Sequence, residues 1–317
     1  MLGEFDLIRR YLAPESQSSA EGIVLGPGDD AALLMPSPGQ QLVVSVDTSV
    51  AGVHFPPDAP AQAIGHRALA VSLSDLAAMG ATPRWCLMSL TLPHADADWV
   101  ASFASGFHAL CQASGIHLVG GDVTHGELAI GVTVMGEVAV GEEMRRSAAQ
   151  AGDLIAVTGA LGGGAGGLSA WQAGNRNLDS PLLARYLLPQ PRIAAGLALR
   201  GLATAAIDVS DGLSADLRHL CDASCVGAEL DISSMPLADG LVETLGESAA
   251  CQAALGGGDD YELLLGLPPS ALNVARQRLD ALALELTVIG RFTSTLGVTG
   301  VDPEWLTGWQ HFSGDKP

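Results

Sequence analysis

LVVSVDT, residues 42–48, is the stretch that decides the fold. Leu42, Val43, Val44 and Val46 form a β-rich apolar run, and the run stops at a carboxylate, Asp47. The pattern returns in GPGDDAAL (Asp29, Asp30), LSDLAAMG (Asp75), LVGGDVT (Asp122) and AIDVSDG (Asp208, Asp211). Each places an acid at the end of a buried strand or on the apolar face of a helix. A carboxylate in such a place is costly unless it is paired or bound to metal. Two of them ~4 Å apart repel by roughly 4 kcal/mol at an effective dielectric of 20. Four or five together would consume much of the ~5–15 kcal/mol that holds a domain folded.

Cations to pair with these acids are scarce. The chain carries fourteen arginines and a single lysine, Lys316. If the aspartates converge, Mg²⁺ is the natural counter-charge, and Mg²⁺ held by carboxylates points to phosphate chemistry. Taken singly, any one of them reads more readily as a turn or helix cap than as a metal ligand.

Around these acids the chain reads as mixed α and β. Strands are expected at 22–26, 31–35, 42–47, 84–92, 116–120 and 128–138, with helices at 3–12, 60–79 and 95–114. In the 60–79 helix, Ile64, Ala68, Val71, Asp75 and Met79 share one stripe, so Asp75 interrupts an apolar face. The polar stretch GEEMRRSAAQAGD (141–153) marks a boundary, which divides the chain into residues 1–148 and 149–317. The second half reads as strands at 154–158, 203–208, 227–232, 261–267 and 286–292. Its helices fall near 164–173, 192–200, 247–254 and 269–282, and another starts at SDGLSADL with Ser210 as its N-cap. Strict βαβ alternation is missing, which gives an α+β fold with two domains.

With 317 residues, 48% of them hydrophobic, there is material for two substantial cores. A net charge of −20 leaves no basic stripe for nucleic acid. Five cysteines without a C-x-x-C read as free thiols of a cytoplasmic protein. No signal peptide or membrane span is expected. A Walker P-loop is excluded because it needs a lysine that the interior of the chain lacks. ATP phosphates would then have to meet Mg²⁺ and arginine, with Arg146 the leading arginine; a surface salt bridge is its alternative. The run GALGGGAGGL (159–168) formally fits a dinucleotide fingerprint, but no acid follows at the required place. Close backbone packing or a loop near a phosphate are the readings left. His54, alone, reads as a structural histidine.

In combination the segments carry more. GEFDLIRRYL, GPGDDAAL, SVDTSVAGVHF, LAVSLSDLAAMGATPRW, LVGGDVT, AIDVSDGLSADL, GGGDDYELL and GWQHF occur in this order over nearly the whole chain. Together they resemble the thiamine-monophosphate kinase family of the aminoimidazole-ribonucleotide-synthetase-like superfamily. The resemblance implies ATP-dependent phosphorylation of thiamine monophosphate to thiamine diphosphate, several Mg²⁺ ions, and a homodimer formed through the N-terminal sheet. It implies Mg²⁺ ligation by Asp30, Ser45, Asp47, Asp75, Asp122, Asp208 and Asp211, with Val46 contributing its backbone. Gly121, Asp122, Arg146 and Ser210 would contact the nucleotide. His54, Glu262 and Trp309 would contact thiamine monophosphate, where an acid and an indole suit a cationic thiazolium. No residue stands out as a general base. A ribonucleotide synthetase or amidotransferase of the same superfamily, and a catalytically idle Mg-nucleotide binder, are the alternative functions.

Overall fold

The structure is a computed structural model, and it describes residues 7–12, 21–309 and 311. The expected N-terminal helix lies partly outside these residues; its described part is a short helical turn, Ile8–Leu12. The chain divides into two compact units. The first takes in the residues up to Leu76 with Ala81–Gly141, and the second takes in Ala77–Gly80 with the residues from Glu142 onward.

In the first unit, a short hairpin of β1 (Ile23–Leu25) and β2 (Leu33–Leu34) precedes a four-stranded sheet. Its strands are β3 (Gln40–Val50), β4 (Thr82–Leu92), β5 (His117–His125) and β6 (Ala129–Ala139), in the order β3-β6-β4-β5. Only β4 and β5 run parallel. Helices α1 (Ala61–Ala78) and α2 (Ala97–Ser114) supply the rest of the core. They meet backbone to backbone at two glycines. A Cβ on Gly65 would lie 2.1 Å from the Phe103 carbonyl, and one on Gly106 1.9 Å from that of Gln62. Ser72 of α1 donates to the Val132 carbonyl of β6, which fixes α1 on the sheet.

Strand alternation sorts the residues of β3. Ser49 is buried, whereas Leu42, Val44 and Val46 are 46%, 55% and 63% exposed on the other face. Asp47 and Asp122 do not end their strands as expected. Each lies within a longer one, because the ladder continues through Thr48–Val50 and Val123–His125.

The second unit is a six-stranded sheet, order β12-β9-β11-β7-β10-β8. The strands are β7 (Leu154–Thr158), β8 (Ala205–Asp208), β9 (Gly227–Leu230), β10 (Leu263–Leu267), β11 (Leu286–Thr293) and β12 (Val298–Thr299). All neighbours are antiparallel except β12 and β9. The helices are α3 (Gly163–Gln172), α4 (Pro181–Leu187), α5 (Ile193–Leu199), α6 (Leu213–Ser224), α7 (Leu241–Leu245), α8 (Glu247–Gly256) and α9 (Leu272–Asp280). One apolar cluster joins Ile155, Val157 and Ile207 to Leu217 and Leu255. Another joins Ala156, Ala206 and Leu265 to Leu199 and Leu279. Alternate residues of β7, β8 and β10 thus feed separate cores, and the mixed α+β architecture follows.

Two expectations change here. Helices α4 and α7 span 7 and 5 residues, too short to show a period in the sequence. Ser210 does not cap α6. Its N-cap is Gly212, and the cap comes from inside the helix, where Asp216 accepts the N–H groups of Ser210 at 3.0 Å and Asp211 at 3.2 Å. Among the described residues, no helix is long and apolar enough to cross a membrane.

Candidate active site

In the first unit, the face of the sheet under α1 brings three predicted residues together. The Ser45 hydroxyl donates to Asp75 Oδ2 at 2.5 Å, across the interface of β3 and α1. Asp47 is raised from 3.8 to about 6, by burial first and the charge of Asp75 second, against a hydrogen bond from Ser72. Its Oδ2 is buried and accepts no hydrogen bond among the described residues. An orphaned carboxylate oxygen beside a second carboxylate and a hydroxyl suits a hard divalent cation, and these residues fit Mg²⁺.

Asp122 lies elsewhere. Cross-strand register aligns Thr48, Gly131, Ser89 and Asp122 in one row, and Asp47, Val132, Met88 and Gly121 in the next. Neighbouring rows point to opposite faces of a sheet. Asp122 is exposed and lines an open groove of about 440 Å³ with Val46, Thr48, Leu87, Ser89 and Thr133. The expectation that Asp122 clusters with Asp47 and Asp75 is therefore corrected by the pleat. Gly121 has no room for a side chain, since a Cβ would meet the Met88 carbonyl at 1.9 Å. Asp30 is exposed, its N–H bonded to Asp29. His54 closes a turn: its Nδ1 accepts the Val50 N–H at 3.0 Å, and its carbonyl accepts Arg67 Nε.

In the second unit, two turns are zipped together. Asp259 N–H donates to Ser210 O, Tyr261 N–H to Val209 O, and Val209 N–H to Glu262 O, each at 2.8 Å. Trp309 N–H donates to Asp211 O at 3.0 Å, which ties the tail to the same place. Its indole is 52% exposed and meets His311 edge-to-face. Asp208 ends β8 and is buried. Asp216 was missed by sequence reasoning. It is pushed up to about 8, by burial first and then by the charges of Asp208 and Asp211. Its signal was an acid in the first turn of a helix whose N-cap, Gly212, has no side chain to offer. Arg146 has an exposed side chain, and its carbonyl accepts Ser224 Oγ. Among the described residues, no group of three or more His, Cys, Asp or Glu side chains is arranged to hold a metal ion. The carboxylates thus stand as Asp47 with Asp75, and as Asp208, Asp211 and Asp216.

Glu262 requires a correction as a direct substrate contact. It has 0% exposure, and both its oxygens are bonded. Arg192 grips it through Nε at 2.7 Å and Nη2 at 2.6 Å, Thr158 Oγ1 donates at 2.8 Å, and Arg185 lies at 3.5 Å. Burial works to lower the pKa of Arg192, but the bonds and charge of Glu262 outweigh it and the net direction is up.

The glycine-rich turn is also settled. Asp260 occupies the start of α3, accepting Gly162 N–H at 2.8 Å and Gly164 N–H at 3.2 Å. Cβ atoms on Gly163, Gly164 and Gly167 would meet Arg185, Asp259 and Leu182 at 2.2–2.4 Å. A carboxylate already fills the place where a phosphate would bind, so these glycines serve close packing.

Family models for AIR synthase related proteins match residues 28–138 as the N-terminal domain and 150–302 as the C-terminal domain. The two units together define that class. Within it, the chain belongs to the thiamine-monophosphate kinase family. The curated enzyme of that name from Escherichia coli K12 is 42% identical, with 98% of each chain covered. The crystal structure of thiamine-monophosphate kinase from Stenotrophomonas maltophilia is 47% identical, with TM-score 0.85, covering 89% of this chain and 92% of the other. AaThiL complexed with AMPPCP and TMP is 32% identical, with TM-score 0.78 and coverage of 88% and 89%.

Asp260 gives a prediction for pH. Burial first, and the charge of Glu262, raise it to about 7, against the two glycine N–H groups and Arg185. Between its ordinary 3.8 and about 7, the folded protein holds a proton that the unfolded chain has released. The contribution of this group to stability therefore falls as pH rises through that window. Denaturant unfolding of the wild type and Asp260→Asn should show the wild type losing ground to the variant from about pH 4 to 7. A difference independent of pH would contradict the assignment.

Proposed function

We propose that the protein transfers the γ-phosphoryl group of ATP to thiamine monophosphate, giving ADP and thiamine diphosphate, the last step in making that cofactor. The observation that carries this reading is the orphaned Asp47 Oδ2 beside Asp75, in a family whose solved member AaThiL was complexed with AMPPCP and TMP. Asp47, Asp75 and Ser45 would hold Mg²⁺, as would Asp208 and Asp211. Bound there, the metal neutralises the phosphate charge that otherwise keeps two polyanions apart. Asp30 and the Val46 backbone complete the proposed ligand set, and Asp122, on the other face of the sheet, is left to the nucleotide alone. Gly121, Asp122, Arg146 and Ser210 serve the nucleotide, while His54 and Trp309 serve the acceptor.

The acceptor needs no general base. A phosphate monoester has a second pKa near ~6 and is largely dianionic at neutral pH. His54 is suited to binding rather than to proton transfer at Nδ1, which already accepts the Val50 N–H. The exposed Trp309 ring offers a cationic thiazolium its π face. The five cysteines are free, and a reducing cytoplasm is the location we propose on that basis.

Steady-state assays of ADP release with thiamine monophosphate, thiamine and a ribonucleotide amidine test the acceptor. Thiamine monophosphate should turn over and thiamine should not, because its neutral hydroxyl lacks both a base and the oxygens that align the reaction. Transfer should be direct, with inversion at the γ-phosphorus. Equal turnover of thiamine would overturn the acceptor assignment. Preference for the amidine would move the protein to the synthetase branch, and no ADP release with any acceptor would make it an idle nucleotide binder.

The open face of the first sheet, with Leu42, Val44, Val46 and Leu87, is the surface for a second copy of this chain. Light scattering at low micromolar concentration should return about twice the 32.3 kDa chain mass. A monomer would refute the dimer.

A further inference from the structure

We infer that Glu262 and Arg192 form a positioning pair, which holds the Gly258–Tyr261 turn in a strained shape and through it sets the Ser210–Asp211 segment of the proposed site. This rests on the reading of Ser210 and Asp211 given under the proposed function.

The strain is on the backbone. Asp259 and Tyr261 have φ of +66° and +53°, both in the left-handed region that side chains other than glycine avoid. Two such residues in three are strained and persist only where the surroundings over-determine them. The surroundings here are two buried carboxylates flanking Tyr261. Asp260 is bonded to Gly162 and Gly164. Glu262 is gripped by the Arg192 fork and by Thr158, whose Oγ1 also accepts Leu263 N–H at 2.8 Å. The fold makes room for this grip, since a Cβ on Gly159 would stand 2.2 Å from Glu262 Oε1. What the pair holds is the three-bond zipper between Asp259–Glu262 and Val209–Ser210.

A carboxylate with no exposed surface cannot touch a substrate in this conformation, so Glu262 acts through what it fixes. The paired guanidinium matters as much as the acid. A lysine at 192 keeps the charge but loses the two-point grip. Glu262 and Arg192 should therefore behave as one unit.

Full-length wild type, Glu262→Gln, Arg192→Lys and the double variant are compared well below their unfolding temperatures. Hydrogen exchange is read at the zipper amides of Val209, Asp259 and Tyr261. Steady-state kinetics are read for ATP and thiamine monophosphate. Both single variants should exchange faster at those three amides while the β7 amides keep their protection. Both should lose about 10- to 100-fold in kcat with little change in either KM, because displaced groups cost rate more than affinity. The double variant should resemble either single one, as coupled residues do.

Unchanged exchange at the three amides overturns the inference. So does a rise in KM for thiamine monophosphate in Glu262→Gln that Arg192→Lys does not share, which would be the mark of a direct contact. Lowered thermal stability with wild-type kcat also overturns it, as the mark of a structural pair. Should the wild type fail to use thiamine monophosphate, the proposed function falls, and the exchange data alone decide the positioning role.

Discussion

Negative charge taken out of water without enough positive charge to meet it governs this molecule. With thirty-five acids against fifteen basic residues, most carboxylates must remain in solvent. Those that do not must find hydrogen bonds, an arginine or a metal. The folded chain uses the first two answers in full. Asp260 takes two glycine N–H groups at the start of α3, and Glu262 takes Arg192, Arg185 and Thr158. Asp216 takes two N–H groups ahead of α6. These are closed arrangements, and they brace the turns around the second sheet.

Asp47 is the exception, and the proposed site is built around it. One of its oxygens is buried and unbonded, its neighbour is another acid, and both effects raise its pKa. A cluster of this kind lowers stability when no metal is bound. In the proposed site a divalent cation and a phosphate would complete it. The contrast between Asp47 and Glu262 separates an acid with an unbonded oxygen from an acid closed by its own partners. Sequence alone presents the two in the same guise, as acids among apolar residues.

Much of the architecture was legible because long apolar runs declare their period. The strand at 154–158 and the helices in 60–79 and 95–114 appear within a few residues of where their pattern puts them. The acids Asp47, Asp75 and Asp208 stood out because each interrupts such a run. What was illegible depends on the third dimension. The pleat that turns Asp122 to the open face follows from register, and register comes from pairing with β4 and β6. The arginine fork on Glu262 joins residues 70 apart in sequence. The cap of α6 moved from Ser210 to Asp216 because a carboxylate one turn inside the helix can reach both preceding N–H groups.

In the proposed site, Mg²⁺ would relieve the charge crowding around Asp47. Thermal unfolding of the wild type and Asp47→Asn, each with and without Mg²⁺, tests it most directly. The variant should be the more stable protein without metal, by a few degrees, and Mg²⁺ should stabilise the wild type but largely fail to stabilise the variant. A variant that is less stable without metal yet equally stabilised by Mg²⁺ would contradict it.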